Sequence, residues 1–199
     1  MNKLNIQLKI KLEDNIKAHK NILKLSNDII DIINIVYKKL NKGGKLLFCG
    51  NGGSAADAQH LAAEFIVRLR PGVNRNPIPA FTLAQDTSTL TACSNDYSFD
   101  DIFLRPFKVI SGKNDVLICI STSGNSKNIL KVLKEAKKQK IYSIGFLGKN
   151  GGKAKNLCTK PLVVESDDTA RIQECHIFLG HFILEKVEDL ILSKKSKKT

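Results

Sequence analysis

Hydroxyl, imidazole and carboxylate groups are concentrated where apolar runs of the sequence give way to helix-like segments. The first such place is FCGNGGSAADAQHLAAEF, residues 48–65, where Asn51-Gly52-Gly53-Ser54 precedes a segment carrying His60 and Glu64. Glycines let a backbone approach a ligand closely, and the free N–H groups at a helix start attract anions. The stretch has neither the GxGxxG spacing of dinucleotide sites nor the Gly-Lys-Ser/Thr of a nucleotide-phosphate loop. It predicts a phosphate or sugar contact.

The second place is ISTSGNSKNIL, residues 120–130, directly after the apolar run DVLICIS. Four hydroxyl residues surround Gly124-Asn125 there: Ser121, Thr122, Ser123 and Ser126. Hydroxyls together with the amides of a helix N-terminus can bind a phosphate without a lysine. A serine N-cap would account for Ser126 but not for the whole cluster. We therefore predict a phosphate site in this loop.

Titratable residues suggest a reaction beside these loops. His60 and Glu64 are four residues apart and share one face of a helix, where they could perform acid–base chemistry or bind a divalent metal. In the last helix, Gln173 and His181 are close in helical phase but about 12 Å apart along the axis.

Helical and strand-like patterns alternate along the chain and position these residues. The pattern predicts one long amphipathic helix over 22–40, and its isoleucines, including Ile29 and Ile33, should pack against a partner subunit as well as their own core. The predicted strands are 45–49, 80–84, 115–121, 141–148 and 161–165. The other predicted helices are 54–69, 87–93, 126–140 and 169–193.

Strands that are apolar throughout and separated by helices indicate a parallel sheet covered on both faces. We predict an α/β fold with a three-layer, doubly wound parallel sheet and a long N-terminal helix. The predicted single domain spans 1–199, with an N-terminal helical segment at 1–44, a core at 45–193 and a lysine-rich tail at 194–199. Two further histidines, His19 and His176, are expected to be structural residues with satisfied polar groups.

Composition narrows the class of protein. No apolar run approaches the roughly 20 residues that cross a bilayer, and the N-terminus lacks a signal-peptide pattern. The five cysteines are odd in number and scattered, which favours reduced thiols and a cytoplasmic location. The net charge of +13 lies mostly in lysines without interleaved aromatic residues, so it favours a solvated surface over nucleic-acid binding.

Four motifs in order along the chain carry a resemblance: GNGGSAADAQHLAAEF, TACSNDYSFDDIF, STSGNSKNIL and ARIQECHIFLGH. Together they resemble the phosphoheptose isomerases of the sugar-isomerase (SIS) domain family, over nearly the whole chain. The STSGNS loop alone marks only an SIS domain, whereas AQHxxxE and RIQExHxxxxH are more specific.

The resemblance implies a homotetramer that converts sedoheptulose 7-phosphate into D-glycero-manno-heptose 7-phosphate for nucleotide-activated heptose synthesis, with sites near subunit interfaces. It implies that Glu64 is the base and His181 the partner acid of a proton transfer through an enediolate. Phosphate binding would fall to the four hydroxyls of the second loop with Ser54. Sugar contacts would come from Asn51, Gly52, Gly53, Asn95, Asp96, Glu64 and Gln173. A zinc site would use His60, Glu64, Gln173 and His181. Gln173 and His181 could reach one metal by leaning toward each other, through a distortion of the helix near Gly180, or by contributing to different copies of the site.

Two other functions are open to an SIS domain. A non-catalytic relative of these isomerases binds the replication initiator DnaA, but a binding protein would be expected to lose the acid–base pair that Glu64 and His181 form here. SIS sugar-phosphate sensors usually carry a helix-turn-helix domain. The roughly 40 residues before Lys45 are too few for such a domain.

Overall fold

The protein is described here from a computed structural model that covers residues 2–83 and 86–196. Its α-helices are α1 (Lys3–Asn21), α2 (Ser26–Leu40), α3 (Gly53–Ile66), α4 (Thr87–Asp96), α5 (Leu104–Ile110), α6 (Lys127–Lys138) and α7 (Thr169–Ser196). Its strands are β1 (Leu46–Gly50), β2 (Ala80–Thr82), β3 (Val116–Ser121), β4 (Tyr142–Gly148) and β5 (Lys160–Val164). The predicted end of β2 at residue 84 and the last three residues of the predicted tail lie outside the described residues.

The five strands form one parallel sheet in the order β2-β1-β3-β4-β5. The chain winds outward in one direction from β1 to β2 and in the other from β3 to β5, which confirms the doubly wound fold. In such sheets a ligand binds beyond the carboxyl ends of the strands, where the winding direction reverses. That place lies between β1 and β3, and both motif-bearing loops begin there.

Two apolar clusters cover the two faces of the sheet. One cluster packs α2, α3 and α7 against residues such as Phe48, Ile118 and Phe146. The other packs α5 and α6 against residues such as Leu117 and Leu147. Because both faces are buried, β3 is apolar at nearly every position, and this pattern made it recognisable from the sequence.

The N-terminal helical region corrects one prediction. Ile29 and Ile33 are buried within the core of this chain, with only 5% and 8% of their surface exposed. They belong to the face that α2 packs on the sheet and α7, so they are not available to a partner subunit. Most of the exposed apolar residues of this region lie instead on α1, including Leu8 at 71% and Leu12 at 57% exposure. A short 3-10 turn, Ile22–Leu25, separates α1 from α2.

Helices α3 and α7 lie side by side, and this pair positions the titratable residues. A side chain at Gly180 would collide with Leu61, so the glycine allows α7 to approach α3 closely. Beyond that contact, Arg70 of the loop after α3 binds Glu188 and Asp189 of α7.

Within the described residues, no helix has the length and apolar character needed to cross a membrane.

Candidate active site

The loops after β1 and β3 are joined directly across the point where the winding reverses. The Asn51 amide nitrogen donates to the Asn128 amide oxygen, the reverse bond also forms, and both are 2.9 Å long. The Asn128 oxygen also accepts from the amide of Ile129, 2.9 Å away. Asn128 was not predicted as a site residue, although it lies two residues after Ser126. This amide pair holds the glycine loop against the first turn of α6, which directly follows the serine loop.

The hydroxyls of the serine loop differ in their surroundings. Ser121 is buried, and its hydroxyl accepts from the backbone N–H of Gly124 at 3.1 Å. The Ser123 hydroxyl accepts from the N–H of Asn125 at 3.2 Å. Ser126 occupies the N-cap position of α6, yet its side chain makes no capping hydrogen bond. Ser121 therefore shapes the loop, whereas the Ser126 hydroxyl is available to a ligand.

At the start of α3, the predicted ligand residues Gly52 and Gly53 are exposed, while Ser54 is buried with 4% of its surface accessible. Thr122 is partly buried. The side-chain amide of Gln173, in the first turns of α7, lies over Gly53, and a side chain at position 53 would have to displace it. The glycine loop and α7 thus meet at this point.

His60, Glu64 and His181 come together across the α3–α7 pair. The Nε2 atoms of His60 and His181 are 2.8 Å apart, and their rings meet edge to face. The Glu64 carboxylate lies 3.7 Å from the same nitrogen of His60 and is more buried than the histidine, with 21% against 47% of the side chain exposed. The structure therefore joins residues from two helices separated by more than a hundred positions.

Gln173 lies apart from this cluster in the same chain. It contacts Gly53, which precedes His60 by seven residues, or about 10 Å of helix axis. The helix is continuous through Gly180, so no distortion there shortens the distance between Gln173 and His181. A site using all four predicted ligands therefore needs either side-chain movement or a second subunit.

Electrostatics favour the neutral form of His181. Burial lowers the pKa of His181, the neighbouring His60 lowers it further, and Glu64 opposes both effects.

One turn before His60, the Asp57 carboxyl has a buried Oδ2 atom without a hydrogen-bond partner among the described residues. Burial raises the pKa of Asp57, and His60 offsets this in part. Asp57 was not predicted from the sequence.

The donor set fits a divalent metal in its chemistry. Two imidazole nitrogens aimed at each other and a nearby carboxylate are ligands that zinc accepts. Tetrahedral zinc would hold the nitrogens about 3.3 Å apart, so the rings would have to separate by about 0.5 Å. As they stand, the described residues contain no group of three or more His, Cys, Asp or Glu side chains spaced to hold a metal.

Asn95 and Asp96 lie at the end of α4, and the Asn95 amide donates to the Asp96 carboxylate at 2.9 Å. Asp96 lines a cavity of about 570 Å³ whose walls come mainly from α4 and α5, where Arg105 stacks on Tyr97. Ser123 lines a different cavity of about 620 Å³, together with Lys149 and Glu165. These contacts do not join Asn95 and Asp96 to the imidazole pair.

The chain is similar to known proteins over most of its length. The sequence pattern of the SIS domain matches residues 14–148. This chain belongs to the SIS domain family. Phosphoheptose isomerase of Clostridium acetobutylicum is 46% identical over 191 residues, which cover 94% of this chain and 96% of that protein. A relative at this identity and coverage makes the chain an enzyme of the isomerase class, similar to the phosphoheptose isomerases.

Solved structures agree with this assignment. Phosphoheptose isomerase from Neisseria gonorrhoeae is 35% identical in sequence and superimposes with a TM-score of 0.86. The match covers 94% of this chain and 100% of that chain. The enzyme from Francisella tularensis is 31% identical with a TM-score of 0.88, at coverages of 95% and 100%. The SIS fold of the family is therefore present here, including the N-terminal helices.

Proposed function

We propose that this SIS isomerase converts sedoheptulose 7-phosphate into D-glycero-manno-heptose 7-phosphate, the first step of nucleotide-activated heptose synthesis. The observation that carries the proposal is the cluster of Glu64, His60 and His181, which lies across α3 and α7 in a chain so similar to phosphoheptose isomerases. The regulatory alternative, binding to DnaA, gains no support from the named relatives.

The substrate would lie at the reversal point between β1 and β3. Its phosphate would accept hydrogen bonds from Ser123, Ser126, Thr122 and the N–H groups that open α6, with Ser54 and Ser121 behind them. Asn51, Gly52, Gly53 and Gln173 would contact the sugar, and Asn95 and Asp96 would do so from α4. The helix start is suited to the phosphate charge because its dipole is positive there.

Aldose–ketose isomerisation moves a proton between C1 and C2 and another between their oxygens. Glu64 would take and return the carbon proton, giving an enediolate. His181, neutral because its pKa is lowered by burial, would manage the proton on the oxygens. In its neutral form the imidazole can accept a proton from one substrate oxygen and return it to the other.

Zinc is the metal that these donors would hold, with His60, His181 and Glu64 from one chain and Gln173 completing the set. When bound, it would polarise the substrate carbonyl and stabilise negative charge on the oxygens. Because Gln173 and the imidazole pair lie about 10 Å apart along α3, a neighbouring subunit could complete the set.

We further propose a cytoplasmic homotetramer with sites near its subunit interfaces. The support is the apolar surface of α1, where Leu4, Leu8 and Leu12 are 68%, 71% and 57% exposed. Exposed apolar surface of this extent is typical of protein interfaces.

A direct assay tests the activity. Purified protein is incubated with sedoheptulose 7-phosphate in deuterated water, with zinc or with a chelator, and both loss of ketose and exchange at C1 are followed. We expect turnover and exchange, with turnover reduced by the chelator. Absence of C1 exchange with zinc supplied would favour a non-catalytic SIS protein.

A further inference from the structure

A buried arginine lies between the two helices that carry the reacting groups. Arg75 belongs to the loop between α3 and β2, and only 1% of its side chain is exposed. Its guanidinium binds the carboxylate of Glu188, which is completely buried on α7. Burying two charges is costly unless both are paired and hydrogen-bonded, so this pair marks a position where geometry is tightly fixed.

The rest of the guanidinium caps the end of α3. Arg75 Nη2 donates to the carbonyl oxygen of Glu64 at 2.8 Å, and Nη1 donates to that of Phe65 at 2.9 Å. The last carbonyls of a helix have no partner within the helix, and α3 has no basic residue of its own in the last turn. The arginine therefore satisfies the backbone of the residue whose side chain is the proposed base.

The same contact fixes α3 against α7. Glu188 follows His181 by seven residues, about two turns, while Glu64 follows His60 by one turn. Arg75 thus joins the two helices on one side of the imidazole pair, and the close packing of Gly180 on Leu61 joins them beside it. A slip of α3 along α7 would change both the His60–His181 distance and the position of the Glu64 carboxylate.

We infer that Arg75, paired with Glu188, is a positioning residue for the isomerisation: it holds Glu64 and the α3–α7 register in the reactive arrangement. It acts through the backbone of Glu64 and does not touch the substrate. This inference rests on the proposed function, because it assumes that Glu64 is the base. Its specific consequence is a loss of kcat without an equal loss of substrate binding, since the serine loop lies on other elements.

The double variant Arg75→Met/Glu188→Met tests this inference. Replacing both partners of a buried ion pair by apolar groups usually preserves the fold, whereas removing one leaves an unpaired charge. Arg70, which also binds Glu188, keeps Asp189 as its partner in this variant. We expect kcat to fall by about tenfold to a hundredfold, because misplacement of a reacting group by about 1 Å has effects of that size. KM should change by less than about threefold. Arg75→Lys keeps the charge but cannot span both carbonyls, and it should show a smaller loss of kcat.

Lys45→Met is the matched control. Lys45 forms an ion pair of 2.7 Å with the buried Asp115 at the opposite end of the sheet. This variant should be less stable to heat, but its kcat should match the wild type. Wild-type kcat in a folded double variant or in Arg75→Lys would refute the positioning role while leaving the proposed function intact. An inactive wild-type protein would refute both.

Discussion

Glu64 is the residue on which the proposed chemistry depends most. Its carboxylate is 21% exposed and lies 3.7 Å from His60 in a cluster that also contains His181. Glu64→Gln removes the base but preserves size and most hydrogen bonding. We expect kcat to fall by about a hundredfold or more, the usual scale for loss of a general base, with KM little changed. Steady-state kinetics with sedoheptulose 7-phosphate measure both constants.

Two additions make the Glu64 result interpretable. Zinc content of the variant is measured beside the kinetics, because a lost metal ligand would also reduce turnover. Glu185→Gln serves as control, since Glu185 pairs with Lys186 on the partly exposed side of α7. Turnover by Glu64→Gln within a few-fold of the control would contradict the assignment of the base.

His176 shows a different consequence of placing a histidine on α7. Its side chain is fully buried, and neither ring nitrogen has a hydrogen-bond partner among the described residues. His176 is a structural core residue, as expected, but its ring lacks the well-formed hydrogen bonds that were also expected; the backbone of Leu147 is the one polar group that acts on it among the described residues. Burial lowers the pKa of His176 to about 4, opposed in part by the backbone of Leu147. A neutral imidazole is held in the core against Phe146.

This burial predicts a pH-dependent stability. Between pH 6.5 and about 4 the unfolded chain binds a proton on His176 that the folded chain does not. The free energy of unfolding is therefore unaffected by this group above pH 6.5. As the pH falls from 6.5 toward 4, it decreases by about 3 kcal/mol because only the unfolded chain takes up the proton. Urea unfolding of wild type and His176→Leu at pH 7.5 and 4.5 tests this.

The quantity to compare is the change in the free energy of unfolding between the two pH values, and not its value at either pH. His176→Leu should lose about 2–3 kcal/mol less between the two pH values than the wild type does. Phe146→Leu is the control, because it changes the adjacent core without removing a titratable group, and it should keep the wild-type slope. Equal slopes in His176→Leu and wild type would show that another group is responsible.

Spacing pointed to His60 and Glu64, and the family resemblance carried by the final-helix motif added His181; the structure brings these three side chains together. Spacing and resemblance were not enough to select Asn128, Asp57 or Arg75. Each of these is defined by what it contacts or fails to contact in three dimensions. An arginine in a loop is usually a surface residue, and only the burial of Arg75 distinguishes it.

At the scale of elements, the serine loop combines a structural and a ligand-facing hydroxyl. Ser126→Ala removes a hydroxyl that makes no capping bond, so KM should rise by about tenfold while thermal stability stays within about 1 kcal/mol of wild type. Ser121→Ala is the contrasting variant. It removes the buried acceptor of the Gly124 N–H and should lower stability.

Kinetics and thermal unfolding of the same two proteins separate these roles. An unchanged KM in Ser126→Ala, and also in Ser123→Ala/Ser126→Ala, would remove this loop from the phosphate site. A loss of stability in Ser126→Ala equal to that in Ser121→Ala would assign Ser126 to the structure of the loop instead.

The elements themselves followed the hydrophobic pattern where burial is strong. Buried strands such as β3 and β4 were predicted within one residue of their bounds. The short helix α5 was missed, because Leu104–Ile110 contains Pro106 and too few residues to show a helical period. Helix α3 begins at Gly53 and not at Ser54, and it ends three residues before the predicted residue 69, where Arg75 binds its last carbonyls.

On the scale of the whole molecule, the pattern of α2 identified an apolar face but not what that face contacts. Ile29 and Ile33 fill the core of their own chain, because α2 packs on the sheet beside α7. An apolar helix face has the same sequence pattern whether it packs against its own chain or against another subunit. Only the structure separates the buried stripe of α2 from the exposed apolar residues of α1.

This difference leads to the prediction for assembly. Leu8→Lys/Leu12→Lys places charges on α1 residues that are more than half exposed in the single chain, so the variant should remain folded but sediment as smaller species. Ile29→Asp/Ile33→Asp places carboxylates in the core and should unfold the chain instead. Sedimentation velocity and circular dichroism on both variants distinguish the two effects. If catalytic sites need residues from a neighbouring subunit, the α1 variant should also lose turnover while its helix content is unchanged. A wild-type protein that sediments as a monomer at micromolar concentration would refute both the tetramer and the shared site.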